Sequence, residues 1–293
     1  MSDQDEYAQF QSDLAVYHDD YGDYSTNEPT MDGTASLIYL LAAFDSRPTQ
    51  AENYRGAIIR GDRTHKKMAI VFTGDEYADG GAYIADVLKA THIKASFFFT
   101  GHFYNNLAFK PLIKTLIADK HYLGAHSNDH LLYNDWVKRD SLLVNQSQFK
   151  KDLLANYGAM KKYGIKKEQA LYFLPPYEWY NQTIANWTNE MGLQLINFTP
   201  GTRSTADYTF PEMGKSYRNS AEIYQSITDY VKKDPDGLNG FILLLHVGTD
   251  PKRTDKFYAH LPKLINFLKN EGYQLLKVDE LLSTNAEPIR ILK

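Results

Sequence analysis

The chain contains no cysteine among its 293 residues. This absence excludes disulfide bonds, thiolate metal ligands and cysteine nucleophiles. The chain also lacks a basic balance, because its formal net charge is -4 and its pI is about 6.1, so nothing favours nucleic acid or an anionic membrane surface as a partner. No apolar run approaches the ~18 residues needed to cross a bilayer, and we expect no membrane span.

A recognisable export signal is also missing. The first residues, MSDQDEYAQF, are acidic and do not follow the basic-then-apolar order of a signal peptide. A cysteine-free chain nevertheless suits an exported bacterial protein slightly better than a cytoplasmic one. We therefore expect a periplasmic or extracellular protein whose signal is absent from this sequence, with a cytoplasmic location as the alternative. The oligomeric state has no signature in the sequence.

What the chain does contain is a regular alternation of apolar runs with helical patterns from residue 67 onward. This alternation predicts parallel strands joined by crossover helices. A deformed (β/α) barrel of about seven strands fits better than an open sheet, and a flavodoxin-like doubly wound sheet is the alternative. The predicted strands are KMAIVFT (67–73), IKASFFFT (93–100), YLGA (122–125), ALYFLP (170–175), LQLINFT (193–199), GFILLLHV (240–247) and YQLLKV (273–278).

We predict two parts in the chain. Residues 1–60 form an N-terminal arm, with a helix over ASLIYLLAAF (35–44), that packs on the outside or bottom of the barrel. Residues 61–293 form the barrel. The polar clusters of the barrel follow its strands, and barrel enzymes gather their chemistry at this carboxyl-end face. These strand-end residues are Asp75, Glu76, His126, Tyr177, Glu178 and His246.

Two histidines in GAHSNDHLLY, His126 and His130, stand four residues apart. Two surface histidines are the simple interpretation of such a pair. With Asp75 as a third ligand, however, two imidazoles and one carboxylate would bind a divalent ion and leave positions open for water and substrate. We expect one ion, with Zn²⁺ as the default and Co²⁺, Ni²⁺ or Fe²⁺ as alternatives.

Two further strand-end residues are candidate acid–base groups. His246 ends the apolar run FILLL, where a lone histidine is more often a satisfied core residue, but its position on the same rim suits protonation of a leaving group. Glu178 could take a proton from water, or it could be a solvated loop residue. Asp79 and Asp129 are weaker candidates for the base.

The segment 67–283 resembles the NodB-type polysaccharide deacetylases, carbohydrate esterase family four. The sequence HSNDH matches the family motif H-[ST]-x-x-H, ASFFF matches A-T-F-F, and LLLH (243–246) matches the terminal leucine–histidine motif. VFTGDEYADG corresponds loosely to T-F-D-D-G, and LPPY (174–177) approximates R-x-P-Y. The resemblance implies a deformed barrel, an Asp-His-His metal triad and hydrolysis of N- or O-acetyl groups. It also implies that the backbone N–H of Tyr177 helps to bind the oxyanion.

The departures from the family concern its general base. If Asp75 is the metal ligand, the base position falls on Gly74; if Asp75 and Glu76 replace the aspartate pair, Asp75 is the base and Glu76 the ligand. The family arginine that pairs with the base falls on Leu174. Loss of both partners is coherent, because an unpaired buried guanidinium costs several kcal/mol. This favours Asp75 as the ligand and Glu178 as a replacement base.

Three functions remain open on the sequence alone. The first is a metal-dependent deacetylase acting on an acetylated oligo- or polysaccharide, in which Trp179 either stacks on a sugar ring or packs in the core. The second is a carbohydrate-binding protein on the same fold that has lost turnover. The third is a metal-dependent hydrolase of amides that are not sugars. In TPGTRSTADY (199–208), Asp207 could hold His246 and Arg203 could meet an anionic group, or both could cap the loop.

Overall fold

A short hairpin precedes the barrel in the structure, a computed structural model that describes residues 51–283. Its strands are β1 (Glu52–Tyr54) and β2 (Ala57–Arg60), which pair antiparallel. The helix predicted over 35–44, the rest of the arm up to residue 50, and the end of the chain after residue 283 lie outside the described residues. The boundary at residue 60 stays a prediction.

Seven parallel strands form a single curled sheet, a deformed (β/α) barrel, which confirms the predicted fold. The strands are β3 (Lys67–Gly74), β4 (Ser96–Phe99), β5 (Tyr122–Ala125), β6 (Tyr172–Phe173), β7 (Gln194–Leu195), β8 (Ile242–His246) and β9 (Gln274–Leu276). Each of the seven runs predicted as strands overlaps one of them. The strand order is β7-β6-β5-β4-β3-β8, and β9 pairs with the first residues of β3.

Helices cover the outside of the sheet, and sequence signals fix where several of them begin. The helices are α1 (Gly81–Ala90), α2 (Gly101–Asn105), α3 (Lys110–Ala118), α4 (Gln146–Lys161), α5 (Gln182–Glu190), α6 (Ser220–Lys233), α7 (Leu261–Asn270) and α8 (Val278–Ser283). α4 begins with a reciprocal capping box between Asn145 and Gln148, and α6 begins with one between Asn219 and Glu222.

The hairpin strand β2 bridges the two edges of the curled sheet. Ile58 pairs with Ile196 just after β7, and Arg60 pairs with Phe241 just before β8. The main chain of Ile58 accepts a hydrogen bond of 2.9 Å from the N–H of Asn197. Backbone groups that would otherwise lie unpaired at the sheet edges are satisfied in this way.

Side chains on β3 alternate between two buried clusters, as the strand period requires. Ala69 and Val71 belong to a small cluster with residues from β4, β6 and β8, which fills the barrel interior. Ile70 and Phe72 belong to the larger cluster that packs against the helices. Continuing this alternation places the next odd-numbered side chains, starting with Thr73, on the interior side. Within 51–283, no helix is long and apolar enough to cross a membrane.

Candidate active site

A cleft of about 600 Å³ opens at the carboxyl ends of the parallel strands. Six of the strand-end residues expected from the sequence line it, together with residues from the loops after β7 and β8. Because each strand delivers its terminal side chain to this one edge, distant parts of the chain meet here. The lining includes Thr73, Asp75, Glu76, His126, His130, Trp136, Tyr177, Glu178, Tyr208, Phe210, Met213, His246 and Asp250.

Asp75 follows β3 directly and is oriented by the next strand. The hydroxyl of Thr100, at the end of β4, donates a 2.7 Å hydrogen bond to Asp75 Oδ1. The same hydroxyl oxygen accepts the N–H of Phe103 and caps α2, so its position is fixed from both sides. Asp75 Oδ2 lies 4.0 Å from His130 Nδ1, and Asp75 Oδ1 lies 3.9 Å from His102 Nδ1.

The loop that carries the two histidines is anchored on α4. Asp152 is buried and accepts four hydrogen bonds, from Ser127 Oγ at 2.7 Å, Asn128 N at 3.2 Å, Asp129 N at 2.9 Å and Tyr133 Oη at 3.1 Å. These four hydrogen bonds hold the histidine loop in place although part of its backbone is strained. Indeed Ser127 lies at φ 71°, in the left-handed region that favours glycine.

One turn along α4, Asn156 positions the first histidine. Its Oδ1 accepts the main-chain N–H of His126 at 2.9 Å, and its Nδ2 donates to the carbonyl of Phe99 at 3.2 Å. His126 Nδ1 lies 2.8 Å from the carbonyl oxygen of Leu174 and must donate to it. The other ring nitrogen, Nε2, therefore carries a lone pair.

Both histidines are held in the neutral form by their surroundings. Burial lowers the pKa of His126 well below its usual value, and the charge of His130 lowers it further. Burial also lowers the pKa of His130, against the opposing effect of Asp75. A neutral imidazole whose remote N–H is fixed by a carbonyl is the form that coordinates metal ions.

The donor atoms of Asp75, His126 and His130 are of the type that a divalent ion prefers, but they do not converge on one point. Within the described residues, no group of three or more His, Asp or Glu side chains converges closely enough to hold a metal. Ligands of a tetrahedral ion with bonds of ~2.0–2.2 Å lie about 3.4 Å apart. The 4.0 Å between Asp75 Oδ2 and His130 Nδ1 is longer than this distance between two ligand atoms.

A strained turn after β6 presents Tyr177 and Glu178. Both residues are left-handed, at φ 59° and 53°, which costs of order 1–3 kcal/mol each. Asn197 Nδ2 stabilises the turn by donating to the carbonyl of Glu178 at 2.9 Å. The ring of Tyr177 packs on His130 with centroids 4.4 Å apart. Backbone strain of this kind is characteristic of functional sites.

The carboxyl of Glu178 has an unusual proton affinity. Burial raises its pKa from 4.5 to about 7; His246 opposes this shift and Asp207 adds to it. A carboxyl that titrates near neutral pH is suited to general acid–base chemistry, because it accepts and releases a proton at the working pH.

Part-buried His246 and buried Asp207 form a hydrogen-bonded pair at the cleft, close enough to Glu178 to influence its charge. His246 Nδ1 donates to Asp207 Oδ1 at 2.6 Å, and Asp207 Oδ2 accepts the N–H of His246 at 2.8 Å. Burial lowers the pKa of His246, but the charge and hydrogen bond of Asp207 outweigh it, so the pKa is raised overall. The predicted contact between these two residues is therefore present.

The deacetylases that this chain resembles carry a catalytic base and an arginine that pairs with it. Here the arginine position is Leu174 and the base position is Gly74. Leu174 is fully buried and packs among the barrel-interior residues. A Cβ on Gly74 would lie 2.6 Å from Val247 Cγ1, so this position has no room for a side chain. The residue on β3 whose side chain faces the cleft before Asp75 is Thr73, and its buried hydroxyl has no hydrogen-bond partner within residues 51–283.

The remaining sequence candidates lie outside the cleft. Asp79 bonds to Thr249 N, Tyr258 Oη and Lys256 Nζ and holds a neighbouring loop. Asp129 is exposed and lies 3.2 Å from His102 Nε2, while Arg203 is an exposed loop residue.

Trp179 lies behind the wall of the cleft. Its Nε1 donates to the carbonyl of Asp135, and the Arg139 guanidinium stacks on its ring at 3.9 Å. The proposed contact of Trp179 with substrate stays a prediction.

Sequence reasoning missed the residues that support the site from behind. Asp152 and Asn156 occupy consecutive turns of α4 on the face that also buries Phe149, Leu153 and Met160. A polar residue on the apolar stripe of a helix is the signal that identifies such a support.

Comparisons with known proteins place these observations in a family. A sequence profile described as polysaccharide deacetylase matches residues 61–196. The peptidoglycan-N-acetylglucosamine deacetylase PgdA of Listeria monocytogenes is 23% identical over 229 residues, which are 75% of this chain and 39% of that protein. The chain thus spans well under half the length of that relative.

Solved structures share the fold at low sequence identity. A pseudoenzyme of carbohydrate esterase family four from Bacillus anthracis superposes with a TM-score of 0.58 at 16% identity, over 78% of this chain and 69% of that one. An acetyl xylan esterase of family four from Clostridium thermocellum, solved in complex with a cobalt ion, gives 0.57 at 20% identity, over 76% and 93%. The matching profile, the curled sheet and the motifs on its strand ends together support a divergent member of the NodB-type polysaccharide deacetylases, carbohydrate esterase family four.

Proposed function

We propose that this protein is a metal-dependent hydrolase that removes N- or O-acetyl groups from an oligo- or polysaccharide. The observation that supports it best is the meeting of Asp75, His126 and His130 with Glu178 and His246 in one cleft. Three neutral or anionic donors and two groups with raised pKa values are the parts that acyl hydrolysis requires.

Asp75, His126 and His130 would hold one divalent ion, with Zn²⁺ as the first choice and Co²⁺, Ni²⁺ or Fe²⁺ as alternatives. Bound there, the ion would polarise the acetyl carbonyl and lower the pKa of water. The hydrogen bonds of Thr100 to Asp75 and of His126 to Leu174 keep two of these ligands in place. These partners are expected to matter nearly as much as the ligands themselves.

Glu178 would take the proton from the attacking water, and His246 would give a proton to the leaving amine or alcohol. His246 Nδ1 is occupied by Asp207, so a proton on Nε2 is the one available for transfer. The backbone N–H of Tyr177 would bind the oxygen that becomes negative. We also propose that the protein acts outside the cytoplasm, because the Listeria relative is described as a peptidoglycan deacetylase.

The test is acetate release from acetylated glycans, measured on protein stripped of metal and then loaded with Zn²⁺ or Co²⁺. We expect release only after loading, and His126→Ala should lose most of the bound ion. Full metal occupancy in that variant would overturn the ligand assignment. The matched control is His65→Ala, because His65 is exposed, precedes β3 and does not line the cleft.

A carbohydrate-binding protein without turnover is the second candidate. It is favoured by Leu174 and by the absence of a carboxylate at Thr73 and Gly74, and one structural relative is described as a pseudoenzyme. Metal-loaded protein that binds acetylated glycans without releasing acetate would support this candidate over the first.

A further inference from the structure

Arg253 is a completely buried arginine that the proposed chemistry does not use. Its side chain has no exposed surface, although arginine is almost never fully buried unless it is paired. The carboxylate beside it, Asp255 Oδ2, lies 3.8 Å from Arg253 Nη2 and belongs to a side chain that is 39% exposed. Within residues 51–283, Arg253 Nε has no hydrogen-bond partner. Since burying a guanidinium costs free energy, the reason for its position lies in what its other N–H groups hold.

Those N–H groups join the two ends of one loop. Arg253 Nη1 donates to the carbonyl oxygens of both Thr209 and Arg218, the latter at 3.0 Å. The ends also meet directly, because the N–H of Arg218 donates to Thr209 Oγ1 at 3.2 Å. The guanidinium packs on the ring of Tyr217 at 5.6 Å. Residues 209–218 thus form a closed loop, within the ~6–16 residues of an Ω-loop, with Arg253 at its base.

The base of this loop is tied to the hydrogen-bonded pair of His246 and Asp207. Thr209 Oγ1 donates to the carbonyl of Ala206 at 2.6 Å, inside the 3₁₀ turn Ser204–Tyr208. This turn carries Asp207, whose carboxylate accepts His246 Nδ1–H at 2.6 Å and the main-chain N–H of His246 at 2.8 Å. A displacement of Thr209 would therefore move the carboxylate that holds His246.

Arginine and lysine differ in their ability to make this connection. A guanidinium presents its N–H donors in a fixed planar fork, whereas a lysine ammonium is a single charge on a flexible stem. Lysine in place of Arg253 would keep the positive charge but lose the rigid fork that binds Thr209 and Arg218. The effect of geometry can therefore be separated from the effect of charge.

We infer that Arg253 is a positioning residue that closes the 209–218 loop and thereby holds the His246–Asp207 pair in place. The same loop supplies Phe210 and Met213 to the lining of the cleft, whereas Arg253 does not line it and acts only through other residues. The use of the pair in proton transfer rests on the proposed function. The positioning itself can be measured without any turnover.

The test compares Arg253→Lys with a matched control, Arg60→Lys. Arg60 is another buried arginine, 2% exposed, and it donates to the main-chain carbonyls of Asn239 and Gly237 at 2.8 Å each. It pairs with Phe241 just before β8, at the end of that strand away from the cleft. Both substitutions keep the charge and remove a fork that binds carbonyls, so they differ in location alone.

Two measurements on metal-free protein follow the loop and the pair. In Arg253→Lys, hydrogen exchange of the 209–218 amides should become about tenfold faster or more, because the loop loses hydrogen bonds to a charged group at its base. The far-downfield NMR signal of the proton between His246 Nδ1 and Asp207 should be lost or broadened, because a loosened carboxylate no longer holds that proton at short distance. Arg60→Lys should change neither readout.

Unchanged exchange and an unchanged proton signal in Arg253→Lys, equal changes in Arg60→Lys, or a parent without the downfield signal would overturn the positioning role. If Arg253→Lys does not fold, Tyr217→Leu provides the test, because it removes only the ring beneath the guanidinium. Faster exchange confined to the 209–218 loop in that variant would support the role, and unchanged exchange would overturn it.

Acetate release separates this inference from the proposed function. In an active parent, Arg253→Lys should lower kcat by about tenfold or more and Arg60→Lys should not, since only the first loosens the group that protonates the leaving atom. Unchanged kcat with a loosened pair would overturn the link to the reaction. A parent that releases no acetate, but whose pair is loosened in Arg253→Lys, would refute the proposed hydrolysis and leave the positioning role standing.

Discussion

Replacing Asp152 tests whether the histidine loop depends on one buried carboxylate. Asp152 Oδ1 accepts one hydrogen bond and Oδ2 accepts three. An asparagine can keep its oxygen at the Oδ2 site, but its NH₂ group then faces the N–H of Asp129. Losing a bond to a charged group costs about 1.5–3 kcal/mol, and making the other three neutral costs about 0.5 kcal/mol each. We expect Asp152→Asn to lower the free energy of unfolding by about 4 kcal/mol.

Urea unfolding of metal-free protein measures this loss, as a shift of the midpoint with an unchanged slope. Tyr133→Phe removes a single donor and should cost about 1 kcal/mol, and the double variant should show coupling between the two sites. Lys151→Ala, an exposed neighbour on α4, should stay within about 0.5 kcal/mol of the parent. An Asp152→Asn protein as stable as the parent would show that the loop holds itself and that the reasoning is wrong.

Two further predictions concern acid–base groups. Glu178→Gln should lower acetate release by ~10²–10⁴-fold and remove the rise of the rate through about pH 7, while Glu76→Gln, an exposed cleft residue, should have little effect in a pH–rate profile. Folding raises the pKa of Glu178 from 4.5 to about 7. The stability that this group contributes is therefore fully present below about pH 4.5 and is lost as the pH rises through about 7. Thermal melts of Glu178→Gln should show a melting temperature that no longer changes with pH in this window. Asp207→Asn should lower the pKa of His246 and so move the alkaline limb of the pH–rate profile to lower pH. If the alkaline limb does not move, the His246–Asp207 pair does not take part in catalysis.

The barrel and the strand-end positions could be predicted because they depend on local pattern. Each parallel strand is a short run of buried apolar residues, and the residue after it falls at the carboxyl-end edge whatever the rest of the chain does. His126, Glu178 and His246 were found for this reason. Their meeting in one cleft required only the order of the strands.

The residues that hold the site in place from behind could not be predicted from local sequence pattern. Asp152 and Asn156 interrupt the apolar stripe of α4, and only the packing of that helix against the histidine loop explains them. The loop after the two histidines is a second example, because its anchors at Tyr133 and Arg139 bond to residues 19 and 41 positions away along the chain.

The missing base shows how strand geometry decides a question that motif spacing leaves open. Motif spacing puts the base at Gly74, but the alternation along β3 turns Gly74 toward the helices and Thr73 toward the cleft. Gly74→Asp should therefore lose about 1–3 kcal/mol of stability by overpacking against Val247 and bring no carboxylate to the site. In a Glu178→Gln background, Thr73→Asp should recover acetate release by about tenfold or more, and Thr73→Asn should not. Recovery through Gly74→Asp instead would refute this orientation of the β3 side chains, because only a carboxylate on the interior side of β3 can reach water beside Asp75 and His126.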